Sequence, residues 1–216
     1  MNRFIKWLVT SLLAFAATIG ATQAQKPAEP DRLRGTITRA DTGSITLQAR
    51  DGRSVRLAIN AATTIFTLAK ASFGEIDFGT YVGAVSERLG DDVYSPIRRD
   101  SLSWLHKGIE LRIIDESLRG IAVGHTKWDL TPASVMTHGW VDDIEDRVLS
   151  IKFGPTDEEE TDVEVPRDVP IQRMSRGDRS LIKAGARVFA GAVKNADGGY
   201  EAVFLFIGKD GAVPAM

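Results

Sequence analysis

The feature that most constrains this chain is a strand pattern that occurs twice in the same order. In the first half, Leu33 to Thr38 leads into the turn Asp41-Thr42-Gly43. Ser44 to Ala49 then alternates apolar and polar residues with a period of two, as a half-buried strand does. Asp51-Gly52 is a hairpin turn signal, and Ser54 to Ile59 puts Val55, Leu57 and Ile59 on one face. In the second half, Gly139-Trp140-Val141-Asp142 matches Gly35-Thr36-Ile37-Thr38. Arg147 to Phe153 matches the Ile45 strand, and Thr161 to Val165 matches the Val55 strand. Both halves go on to a short polar-capped segment and a Gly-to-strand step, Gly79-Thr80-Tyr81-Val82 and Gly185-Ala186-Arg187-Val188. The offset is 104 between Gly35 and Gly139 and 106 between Gly79 and Gly185. Ordered elements at a nearly constant offset are the mark of an internal repeat.

Each half offers about five strands in roughly 80 residues, the size of a small closed barrel resembling an OB-fold. The expected fold is therefore all-β: two small OB-like β-barrel domains in tandem with a packed connector. The first barrel is expected over 32–115 and the second over 139–211, with a tail at 212–216. The segments 68–76 and 179–183 are expected to be single helical turns. The connector, 116–138, is too long for a simple loop and should pack on something.

The first 24 residues read as a secretory signal peptide. Arg3 and Lys6 form a basic start, Trp7 to Ala21 is mostly apolar, and Ala24 is the expected cleavage point. The apolar run falls short of the roughly 20 residues that span a bilayer. No later segment is apolar enough to cross, so no membrane span is expected after cleavage. Residues 25–31, with two prolines, read as a tether. The expected location is the periplasm.

Chemistry is bounded by what is scarce. The 216 residues include no cysteine and only three histidines. That removes disulfides, thiolate metal sites and cysteine nucleophiles, and disfavours multi-histidine metal centres. The net charge is −2, and −4 without the first 24 residues, whereas a nucleic-acid binder is normally basic. No Gly-x-Ser-x-Gly elbow and no phosphate-binding Gly-rich loop occurs. The acidic run Asp157 to Glu160 lacks the alternating spacing of a calcium loop and reads as a solvated hairpin tip. Arg98-Arg99 and Arg173, Arg176 and Arg179 read as surface charge.

The densest set of unusual residues lies in the connector: His125, Trp128, Asp129, Met136 and His138. One expectation is a packing role, with Trp128 and Leu130 filling the groove between barrels, Asp129 capping a turn and His125 bonding backbone. The other is a metal site, since imidazole with carboxylate suits zinc and imidazole with thioether suits copper. The packing role is preferred, because the spacing matches no ligand signature, and no metal or cofactor is expected.

Arg119-Gly120, Gly124-His125, Trp128-Asp129-Leu130, Pro132, Ser134, Met136-Thr137, Gly177 to Leu181 and Gly208 to Pro214 together form a pattern. It resembles a family of exported proteobacterial hypothetical proteins with OB-like domains, some of which carry the label metal ABC transporter permease. The resemblance implies export and the barrel fold and carries no site residues. The permease label is not literal for a chain without a membrane-spanning bundle. Where that pattern commonly has an acidic residue before the Gly-His pair, this chain has Val123.

The expected function is a non-enzymatic binding or interaction module of the cell envelope, its partner an envelope protein or a small ligand and not a nucleic acid. The alternative is a periplasmic metal-handling accessory protein using the His125–His138 connector.

Overall fold

The computed structural model describes residues 29–97, 104–156, 159–195 and 197–214. The expected leader, the tether through residue 28, Arg98, Arg99, Asp157, Glu158 and the last two residues of the tail lie outside them. The described chain is all-β, as its period-two patterns require, with only single 3-10 turns beside the strands. Those turns cover Phe73–Glu75, Glu116–Leu118 and Arg179–Leu181. The segment expected as a helical turn from residue 68 instead begins as strand.

The first half supplies β1 (Asp31–Asp41), β2 (Ser44–Ala49), β3 (Ser54–Ala58), β4 (Thr64–Lys70), β5 (Tyr81–Arg88) and β6 (Leu105–Ile114). A short β7 (Gly124–Lys127) follows. The second half supplies β8 (Val135–Glu145), β9 (Val148–Lys152), β10 (Glu160–Glu164), β11 (Ile171–Arg176), β12 (Arg187–Lys194) and β13 (Tyr200–Gly208). The strand order of the first half thus recurs in the second.

The pairing does not follow the halves. β1 pairs with β2 and β2 with β3, but β1 also pairs with β12, and β3 runs parallel to β13. Because β12 pairs with β13, these five strands form one closed circuit. The second circuit is β8, β9 and β10 with β5 and β6. Each closed barrel therefore takes three strands from one half and two from the other. The expected boundaries 32–115 and 139–211 do not enclose barrels, and tandem separate domains are corrected to an interleaved pair.

Physically, the exchange happens at β4 and β11. Along β13, the parallel partner is β3 at Tyr200 and β4 from Phe204 to Gly208, so the chain leaves one sheet edge and continues onto the next. Along β6, β10 and then β11 do the same. β4 and β11 then pair antiparallel at the centre, with Leu68 opposite Met174. Two glycines tie the halves together. Gly79 (φ 77°) donates its N–H to the Val141 carbonyl, and Gly185 (φ 87°) donates to the Ile37 carbonyl. Both sit in the left-handed region that favours glycine.

Leu33, Ile37, Leu47, Leu57, Val188, Leu205 and Ile207 fill the first barrel. Val82, Leu111, Val141, Leu149, Ile151 and Val163 fill the second. A third core lies between them: Phe66, Leu68, Tyr81, Ile114 and Met174, with Phe204, Phe206 and Trp140 packed against it. The connector covers this core. Leu118 is buried in it, and the Tyr81 hydroxyl donates to the Ile121 carbonyl at 2.6 Å. Burial pushes the Tyr81 phenol up to about 12, so it stays a neutral donor. The connector is shorter than expected, because Val135 to His138 belong to β8 and Gly124–Lys127 adds β7 to its edge.

Candidate functional site

Between the barrels, next to the third core, lies a cavity of about 440 Å³. Its walls are mainly apolar, and five of the lining side chains are aromatic: Phe66 from β4, Phe189 from β12, Phe204 and Phe206 from β13, and Trp128 from the connector. The rings pack as a set. Phe189 stacks on Phe206 at 5.6 Å between centroids, Phe66 stacks on Phe206 at 4.9 Å, and Phe204 meets Phe206 edge-on at 5.3 Å. Offset and edge-on contacts of this kind are the favoured aromatic geometries. Sequence dictates this locally. Val203 to Ile207 is apolar on both faces of β13, so Leu205 and Ile207 turn into the first barrel while Phe204 and Phe206 face the cavity.

Five polar side chains interrupt the apolar wall: Glu29, Arg32, Thr64, Arg112 and His138. Arg112, in β6, is only 4% exposed, and its Nε–H donates to Glu110 Oε1 at 2.7 Å. Its guanidinium stands 5.1 Å from the Phe206 ring centre. His138, in β8, rests against Gly83, whose missing side chain leaves room for the imidazole. Burial, and then the Arg112 charge, holds His138 down to about 4, so it is neutral at pH 7. Arg32 lies 4.1 Å over the Trp128 ring.

Of the five candidates read from the sequence, the structure brings two to this cavity, Trp128 and His138. Trp128 is half-buried rather than enclosed, in edge contact with Phe189 at 6.0 Å, and its buried Nε1–H has no partner among the described residues. Asp129 does not cap a turn. Its carboxylate accepts two hydrogen bonds from Arg34, at 2.6 and 2.7 Å, with Arg32 3.6 Å away. Burial acts to raise the Asp129 pKa, but the Arg34 hydrogen bonds and the charges of Arg34 and Arg32 outweigh it and hold it low. Met136 is buried in the sheet between Val85 and Thr126.

His125 stands apart from the cavity. Its Nδ1 is 2.9 Å from the Thr137 hydroxyl rather than from backbone, and its ring stacks on Phe153. It also meets His106 edge-on at 5.9 Å. Burial comes first, followed by the His125 and Arg88 charges, in holding His106 down to about 4, against an opposing pull from Asp162. The connector ligand set His125, Asp129, Met136 and His138 is thus spread over separate surroundings. Among the described residues no group of three or more His, Asp or Glu side chains is placed to hold a metal ion.

Sequence reasoning missed Arg112, Arg32 and the four phenylalanines. The doubly apolar β13 was the available signal, since a strand without a polar face must be covered on both sides. Comparison of the chain with protein-family models, curated proteins and solved structures gives no match.

Proposed function

We propose that this protein is a non-enzymatic, periplasmic binding module that takes a small apolar ligand into the cavity between its barrels. The observation that carries this is the aromatic cavity itself, walled by Phe66, Trp128, Phe189, Phe204 and Phe206 and open enough to hold about 440 Å³. A pocket lined by apolar and aromatic side chains with a few convergent polar groups is the usual form of a small-ligand site. The neutral His138 and the charge-compensated Arg112 supply orientation rather than a reacting pair.

Two further features support the reading. Each circuit closes with its third strand parallel to its last, an order that resembles the OB arrangement, a scaffold that carries many unrelated ligands. The leader over 1–24 supports export, and the negative net charge speaks against nucleic acid as the ligand. Among the described residues the metal-handling alternative has no assembled ligand set to rest on.

The test is binding of the uncharged fluorophore N-phenyl-1-naphthylamine to the purified protein. Saturable one-to-one enhancement, weakened about fivefold or more in Trp128→Ala, is expected. Absence of saturable binding would overturn the reading. N-terminal sequencing of exported protein should begin at Gln25.

A further inference from the structure

Arg112 is more than the cavity needs if its contents are purely apolar. Its side chain is 4% exposed and lines the cavity from near the end of β6. Only its Nε–H is used, in the bond to Glu110. Among the described residues the two outer guanidinium nitrogens have no hydrogen-bond partner. A guanidinium is a rigid planar fork whose paired N–H groups match the two oxygens of a carboxylate. Donors on a largely buried side chain that opens into an aromatic-walled cavity gain most from an acceptor that arrives with its own apolar body.

We infer that the cavity takes an apolar monocarboxylate, its body against Phe66, Phe189, Phe204 and Phe206 and its carboxylate on the outer nitrogens of Arg112. This rests on the cavity reading above. Glu110 neutralises Arg112 while the cavity is empty. When a second carboxylate shares the guanidinium, Arg32 is the further cation in the same wall and Glu29 its anion, so the outer nitrogens of Arg112 carry the recognition. Asp129 takes its two short hydrogen bonds from Arg34, leaving Arg32 at 3.6 Å. Glu29 is the acidic side chain at the lining, and the neutral His138 adds no charge of its own.

The experiment measures displacement of N-phenyl-1-naphthylamine from the full protein by four probes: dodecanoate, dodecanol, 2-naphthoate and 2-naphthalenemethanol. At least one carboxylate is expected to bind about tenfold or more tighter than its own alcohol. Which pair shows the gap tells whether the natural body is aliphatic or aromatic. In Arg112→Lys, which keeps the charge beside Glu110 but loses the fork, that ratio should fall to near one while the alcohol binds as before. Equal binding of acid and alcohol in both pairs would overturn the inference and leave the cavity reading intact. A ratio that persists in Arg112→Lys would equally overturn the assignment to Arg112. Failure of the neutral fluorophore to bind at all would overturn the cavity reading, and this inference with it. Thermal melting of Arg112→Lys checks that it is folded. If it is not, the double variant Glu110→Gln, Arg112→Gln removes both charges together and replaces it, with the same collapse of the ratio expected.

Discussion

Arg34 in β1 and His138 in β8 stand at matching positions of the two halves and use that position in opposite ways. Arg34 pairs across the sheet with Phe189 and lays its guanidinium 4.7 Å from that ring. His138 pairs with Gly83, the residue that corresponds to Phe189, and occupies the space a side chain would fill. One half thus places a ring in the cavity wall where the other half has a gap plugged by an imidazole. The cavity is one-sided although the strand order is repeated.

A first prediction follows from that plug. A Cβ at Gly83 would lie 2.8 Å from His138 Cδ2 and 2.9 Å from Nε2, closer than packed atoms stand. Gly83→Ala should cost about 1–3 kcal/mol, the usual range for overpacking. His138→Ala should recover part of that loss, because the clash is with a side chain. Denaturant unfolding of the two single variants and the double variant measures the coupling. Strict additivity would show that the imidazole does not rest on Gly83.

Gly35 and Gly139 pose a harder constraint, since what they face is backbone. A Cβ at Gly35 would run into the Gln48 carbonyl oxygen, and one at Gly139 into the Lys152 carbonyl oxygen. No rotamer change can relieve either clash. Gly35→Ala and Gly139→Ala should each cost about 3 kcal/mol or more, at the upper end for overpacking, and by similar amounts. Melting temperatures within a degree or two of the unaltered protein would refute this.

Acid should destabilise the fold chiefly through two histidines, with His125 also held below its usual value by burial. His106 and His138 are each held down to about 4, from an ordinary value near 6.5, chiefly by burial. The unfolded chain therefore binds the more protons between those values, and stability is lost as pH falls from about 6.5 toward 4. Above 6.5 neither group contributes a slope. The loss should be on the order of 1–3 kcal/mol for the enclosed His138 and smaller for the half-buried His106, whose charge water screens. Unfolding free energies measured from pH 7 to pH 4 check it, and His106→Gln with His138→Gln should flatten the profile. An unchanged slope in that double variant would count against the assignment.

How much of this was legible from sequence depended on whether the signal was local. The strands were, because Val55, Leu57 and Ile59 alternate with polar residues and all three are buried. The partner of each strand was not. Val82 and Val188 sit in matching strands, so β1 carries no local preference for β5 over β12. The choice is made by how residues 59–63 and 165–170 carry the chain along β13 and β6 onto the far sheet. In the site, Trp128 and His138 stood out by rarity. Arg112 did not, because Glu110 and Arg112 alternate with Leu111 and Ile113 as a solvated strand face would. That face is covered here by the other barrel's aromatic residues.

The interleaving has a consequence for the halves taken alone. In 29–115, β1 would lose β12 and β3 would lose β13, leaving two open edges and the apolar face of Ile37, Leu47 and Leu57 without its cover. Residues 116–214 would lose β5 and β6, the strands that close the second barrel. Neither half should give the cooperative unfolding of the whole chain, because each lacks two of the five strands in its barrel and would expose unpaired edges. Mixed together, the two halves should restore a one-to-one complex with the intact chain's strand spectrum, since every missing pairing is supplied by the other piece. Size-exclusion chromatography and circular dichroism of the separate and mixed halves measure this. A 29–115 fragment that is monomeric and melts cooperatively by itself would mean that the half closes on its own, with β1 against β5, and that the exchange at β4 and β11 is not what the chain requires.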